Sequence, residues 1–213
     1  MTATHDTTGR TGDGGDVELS TDVSGPRWLA QAERPPRLAD VSFAELPVEL
    51  RLLLIHDGTL TTALEAYQLA PIVADVEGQE EMLLDANYAR WLRAMPGDHA
   101  LSRRTALRQR LTGRLLVHAD VVLLLDRLPD GFSEVLASSA KGLGAAFARL
   151  QIETRRELLW FGRTPLRALR AGDQALSGDF GVARCYRLII DGTPVCCIEE
   201  TFPDAVIRDS TGH

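Results

Sequence analysis

Two neighbouring glutamates near the C-terminus, Glu199 and Glu200, lie in ARCYRLIIDGTPVCCIEETFP, residues 183–203. The runs on either side of Asp191-Gly192 are rich in Ile, Val, Tyr and Cys, and Asp-Gly between such runs marks a two-residue hairpin turn. With Asp191 and Gly192 as the loop, Ile190 faces Thr193, Arg184 faces Glu199 and Ala183 faces Glu200. Partners across a hairpin share a face, and faces alternate along each strand. One face then holds Arg184, Tyr186, Cys197 and Glu199, and the other Ala183, Cys185, Cys196, Ile198 and Glu200. Glu199 gains Arg184 as a solvated ion partner. Glu200 shares its face with apolar residues and has no partner in the hairpin. It either turns out to water at the strand end or sits in a pocket, where burial tunes a carboxylate for acid–base work.

Three further stretches carry chemistry-bearing groups. In LRQRLTGRLLVH, residues 107–118, Arg108 and Arg110 alternate onto one strand face. Turned outward they snorkel to water; turned inward either would be a bidentate clamp for a carboxylate. In HDGTLTTALE, residues 56–65, Thr59 is a candidate N-cap, so Leu60 opens a helix. A helix start offers unpaired N–H groups and a positive dipole end, which suit an anion, although most such caps bind nothing. GLGAAF at 142–147 is a second, Gly-flanked helix start that offers another backbone N–H. No phosphate-loop motif, dinucleotide fingerprint or His/Cys metal spacing occurs, so no metal and no cofactor is expected. Cys196 and Cys197 point to opposite faces of one strand, and with Cys185 they read as structural thiols of a reducing, cytoplasmic compartment.

The elements that position these groups follow from pattern. With 213 residues, 45% of them hydrophobic and 25% charged, the chain is long enough for one domain with a real core. A net charge of -7 argues against a nucleic-acid partner, and no apolar run is long enough to span a membrane. Residues 1–40 read as a disordered tail, polar to about residue 25, followed by an extended arm with Trp28 and Pro35-Pro36. Residues 41–213 read as a single domain. Helices are expected over 48–56, 60–69, 132–140 and 145–151, and a short one from Thr164-Pro165. Strands are expected over 72–80, 105–112, 114–125 and 152–161, before the hairpin; 85–101 is ambiguous. Strands in hairpin-like pairs imply an α+β fold, an antiparallel sheet with peripheral helices. No heptad suggests an interface, so a monomer is the default.

In order, DGTLTTALE, LRQRLTGRLLVHADVVLLLDRLP, GLGAAFARLQIETRRELLWFG and ARCYRLIIDGTPVCCIEETFP resemble the chorismate pyruvate-lyase family, its actinobacterial branch in particular, over about residues 46–206. The resemblance implies an antiparallel sheet with a ligand buried under flaps. It also implies elimination of pyruvate from chorismate to give 4-hydroxybenzoate, without metal or organic cofactor. By position, Glu200 matches the family's catalytic glutamate in T-E-x-F, and Leu107-Arg108 matches its L-R-x-hydrophobic strand start. The backbone N–H groups of Leu60 and Leu143 match its carboxylate-binding positions. Arg110 departs from the family pattern, which leaves Arg110, or Arg104, as a substitute for Arg108. Residues 80–101 align poorly, so a flap there differs in shape. The rival reading is a non-lyase on the same scaffold: a small-molecule binding domain or a cyclase.

Overall fold

A computed structural model describes residues 27–139, 142–166, 170–171, 174–175 and 180–203. The tail expected over the first 25 residues lies outside the described residues. Six long strands form one antiparallel sheet: β1 (Ile72–Leu83), β2 (His99–Gln109), β3 (Leu115–Leu123), β4 (Arg155–Pro165), β7 (Phe180–Ile190) and β8 (Thr193–Pro203). Their order is β1-β2-β3-β8-β7-β4, so the C-terminal hairpin sits between β3 and β4. The two-residue strands β5 (Arg170–Ala171) and β6 (Gln174–Ala175) pair apart from it.

Among the described residues, five α-helices cover the two faces. On one lie α1 (Val48–Ile55), α2 (Leu60–Gln68), α4 (Phe132–Ser138) and α5 (Leu143–Arg149). Leu50, Leu53 and Leu54 of α1 and Leu60 and Leu64 of α2 pack with Leu107, Leu116 and Phe202. Phe132, Phe147, Leu188 and Ile198 form a core under α4 and α5. On the other face, α3 (Ala86–Leu92) packs Ala89 and Leu92 against Val122, Trp160, Cys185 and Cys197. Asp85 caps α3 by accepting from the Tyr88 N–H at 2.9 Å, so the ambiguous 85–101 stretch opens as a capped helix and ends in the first residues of β2. Residues 27–40 run along β4. The N–H groups of Leu29 and Ala30 donate to the carbonyls of Leu158 and Leu159, and Ala39 bridges to Arg163. Among the described residues, no helix is long and apolar enough to cross a membrane.

Three expectations need correction. The strand expected to end at Gly162 runs to Pro165, and the short helix expected from Thr164-Pro165 falls, beyond Leu166, outside the described residues. Gly162 is not a break but a point of close approach. A Cβ on it would lie 2.6 Å from Arg34 Cδ and 2.9 Å from the Ala39 carbonyl, both in the arm. The strand expected over 105–112 lies instead at 99–109, because Gly113, at φ 69°, closes a turn onto the Gln109 carbonyl.

The third correction matters most. Asp191 and Gly192 form the turn as expected, both at positive φ (47° and 79°), and Ile190 faces Thr193. The register then shifts by one. Ile189 pairs with Pro194 while Leu188 pairs with Cys196, leaving Val195 as an extra residue. Pro194 has no N–H for the ladder, and the Val195 carbonyl accepts from Leu124 N–H on the β3 side. Beyond this bulge Arg184 faces Glu200, not Glu199, and Cys185 faces Glu199.

On β4 and β7, Glu157 faces Arg187 and accepts from its Nε at 2.7 Å, and Arg155 reaches it at 2.6 Å. Burial alone would raise the Glu157 carboxyl, but these two arginines hold it below its ordinary value of 4.5. A depressed folded-state value stabilises the fold above pH 4.5, and that contribution is lost as pH falls through the folded value. Glu157→Gln should therefore lower the urea midpoint at neutral pH and approach the wild-type midpoint as pH drops below 4.5. Parallel curves down to the lowest pH would show that the pairing contributes nothing.

Candidate functional site

A cavity lies between the sheet and the first turns of α2 and α5. Thr59, Leu60, Leu143, Arg103, Arg156 and Glu200 are among the residues that line it. Its two helix starts meet because of the glycines. Gly142 adopts φ 78°, and a Cβ on Gly144 would lie 2.8 Å from Thr59 Cγ2. The Thr59 side chain makes no capping hydrogen bond to α2. The first N–H groups of a helix have no intrahelical acceptor, so Leu60 N–H at α2 and Leu143 N–H at α5 stand at the two walls.

Glu200 enters from β8. It is 4% exposed, and its carboxylate accepts from two buried donors. Arg184 Nε lies 2.7 Å from Oε2, and the Tyr186 hydroxyl 2.9 Å from Oε1. A carboxylate has about four lone-pair sites, so acceptor capacity remains for a ligand. Burial, then the Glu200 charge, pushes the Tyr186 hydroxyl far above its ordinary range, so it stays a donor.

Arg103 enters from β2. It is 5% exposed and donates to Gln79 Oε1 at 2.7 Å. Burial pushes its guanidinium below the ordinary range, with no carboxylate among the described residues to offset it. A buried cation without a carboxylate is costly, and an anionic ligand would offset that cost. Arg156, from β4, donates to the Asp57 carbonyl at 2.5 Å and lies 5.6 Å from the centre of the Tyr186 ring.

Of the residues singled out from sequence, Glu200, Leu60 and Leu143 come together at this cavity, and Arg108 and Arg110 do not. Arg108 points to the opposite sheet face, 3.5 Å from Asp75 and 3.4 Å from Glu77, and donates to the Gly113 carbonyl. Arg110 is exposed in the β2–β3 turn. Arg104 is exposed and lies 3.3 Å from Asp120. The inward arginine is Arg103, which sequence reasoning missed. Its signal was there: it shares a strand face with Leu101, Thr105 and Leu107, whereas Arg104 shares one with Ser102.

Glu199 faces the other way. Arg37 of the arm pairs with it, yet burial holds its carboxyl above the ordinary range. A cleft on that face, about 400 Å³ against about 70 Å³ for the Glu200 cavity, includes Trp91, Trp160, Cys185 and Cys197. Its two arginines, Arg37 and Arg90, are already paired with Glu199 and Glu33. Chemistry rather than size favours the Glu200 cavity. All three cysteines are free and buried, and Cys196 lies on the face opposite Cys185 and Cys197, whose sulfurs are 3.3 Å apart.

Residues 54–208 match the family described as Chorismate pyruvate-lyase Rv2949c-like. A chorismate pyruvate-lyase of Mycobacterium leprae is 31% identical over 169 residues, covering 78% of this chain and 79% of that protein. One of Mycobacterium tuberculosis is 29% identical over 177 residues, covering 81% and 88%. Among solved structures, PhnF of Mycobacterium smegmatis superposes with a TM-score of 0.54 at 16% identity, covering 72% of this chain and 67% of PhnF. Its isolated effector domain gives 0.51 at 17%, covering 70% and 90%. At those identities the likeness is one of fold.

Proposed function

The chain belongs to the Rv2949c-like chorismate pyruvate-lyase family, and from that premise we propose that the Glu200 cavity is where chorismate loses pyruvate. The enzyme is a lyase: chorismate is cleaved to 4-hydroxybenzoate and pyruvate. The observation that carries the site is the buried Glu200 carboxylate in one cavity with Arg103, a buried guanidinium that has no carboxylate partner among the described residues.

Chorismate carries two carboxylates. The ring carboxylate rests on the N–H groups of Leu60 and Leu143, as the family's carboxylate positions suggest. Arg103, in place of Arg108, takes the enolpyruvyl carboxylate and stabilises charge as the ether bond breaks. Glu200 accepts from the ring hydroxyl and assists loss of the proton on the carbon that bears it. That C–H pair becomes ring π electrons, the neighbouring C–O bond breaks, and the released enolpyruvate is protonated to pyruvate. Aromatisation drives the step, so orientation and exclusion of water are what the protein must add. No electron transfer occurs, and no cofactor is invoked. The cavity is narrow, so entry of a ring requires α2 or α5 to move outward. Buried reduced thiols at Cys185, Cys196 and Cys197 suit a cytoplasmic enzyme, and it acts as a monomer with no nucleic-acid partner.

The test is incubation of the purified full chain with chorismate. Pyruvate is followed by coupling to lactate dehydrogenase and the aromatic product by chromatography. Equal amounts of pyruvate and 4-hydroxybenzoate are expected, at a rate unchanged by EDTA. Release of neither product would overturn the reading.

A further inference from the structure

We propose that Arg184 and Tyr186 are positioning residues that tie the reacting carboxylate to the loop presenting the substrate's anion site. The inference rests on the lyase reading above and concerns how its cavity is held.

Arg184 is fully buried on β7, an interior strand next to the edge strand β4, with 0% exposure. Its Nε donates to Glu200 Oε2 at 2.7 Å. Its Nη1 donates to three carbonyls at the end of α1: Leu53 at 2.6 Å, Leu54 at 2.9 Å and His56 at 3.0 Å. Leu53 O also accepts the His56 N–H at 3.3 Å, and the guanidinium closes the end of α1 with a cation where its dipole is negative. Three residues after His56 the chain reaches Thr59, then Leu60, the opening residue of α2 at the cavity wall. One planar side chain thus fixes both the Glu200 carboxylate and the α1–α2 turn. Tyr186 completes the clamp by donating to the other Glu200 oxygen at 2.9 Å.

Stability is a poor explanation for this arrangement. Burying a guanidinium and a carboxylate together gains little over an apolar pair of the same volume. Nη2 of Arg184 is buried with no hydrogen-bond partner among the described residues, a further cost. What the clamp provides is geometry. Glu200 cannot rotate about its terminal bond without breaking a hydrogen bond at one oxygen or the other, which fixes the lone pairs left for the substrate hydroxyl.

The experiment measures kcat and KM for chorismate in Tyr186→Phe, Arg184→Lys and Arg184→Ala, with thermal melts and the affinity for 4-hydroxybenzoate in parallel. Tyr186→Phe removes one hydroxyl and keeps the ring. It should fold as wild type and lose about tenfold in kcat with KM within about threefold, the size of one lost hydrogen bond felt in the transition state. Arg184→Lys keeps the charge but not the fork, and should lose about 10²-fold in kcat, as for a displacement near 1 Å. Methylguanidinium at millimolar concentration should restore part of the Arg184→Ala rate, which a purely structural loss would not allow. A Tyr186→Phe enzyme with wild-type kcat would overturn the proposal even where neither Arg184 variant folds. So would losses confined to KM. If wild-type protein itself released no pyruvate, the lyase reading would fall first, so the two failures are distinguishable.

Discussion

Glu200→Gln is expected to lower kcat for pyruvate release by about 10²- to 10⁴-fold, the range for a positioned acid–base group, while Glu199→Gln stays within a few-fold. The two side chains are adjacent on β8, so either change alters net charge and strand propensity alike. Only the face differs. Glu200 lies on the cavity face, held by Arg184 and Tyr186. Glu199 lies on the opposite face beside Cys185, paired with Arg37 of the arm. The stability effect runs with the activity effect. Arg184 has no other carboxylate among the described residues, so a glutamine at position 200 leaves a buried guanidinium with only a neutral acceptor. A loss of about 1.5–3 kcal/mol is expected, the value of a hydrogen bond to a charged group. Steady-state kinetics and urea melts of the two variants decide it. Equal kinetic losses would place both carboxylates in one site and contradict the bulged register.

That register shows what the sequence carries and where it stops. Asp191-Gly192 names the turn because few dipeptides adopt two consecutive positive φ values at low cost. The alternation of Ile, Val and Cys names the strands. Counting outward from the turn nevertheless pairs Arg184 with the wrong glutamate, because the bulge at Val195 shifts every later pair by one. Pro194 is the one local hint of it, since a residue without an N–H interrupts the ladder. Glu200 was singled out all the same, for an apolar face and a missing partner. Its β8 companions on that face, Cys196 and Ile198, are as expected, but across the hairpin the bulge replaces Ala183 and Cys185 with Arg184 and Tyr186, and Arg184 is the partner. The meeting of Leu60 with Leu143 was not legible from spacing, because it depends on Gly144 packing against Thr59 across 85 residues of chain.

Arg103→Ala is expected to reduce kcat/KM for chorismate by about 10²-fold or more, from 2–5 kcal/mol for truncating a buried charge partner. Arg108→Ala should cost no more than a few-fold. This order reverses the one that position along the motif suggests, and the reason is the pleat. Arg103, Thr105 and Leu107 line the cavity from β2, and Arg108 turns to the other face. A shift in register between Leu107 and Arg108 places Arg108 opposite Leu115, where Asp75 and Glu77 take its charge. Stability should move in the opposite sense to activity. Arg108→Ala breaks partly exposed ion pairs, each worth about 0–1 kcal/mol. Arg103→Ala removes a cation that burial disfavours and that has no carboxylate partner among the described residues, so its melting temperature should hold or rise. An inactive but undiminished fold in Arg103→Ala, beside an active and slightly weakened Arg108→Ala, is the expected result. Loss of turnover in Arg108→Ala with Arg103→Ala unaffected would mean that the substrate binds on the opposite face of the sheet.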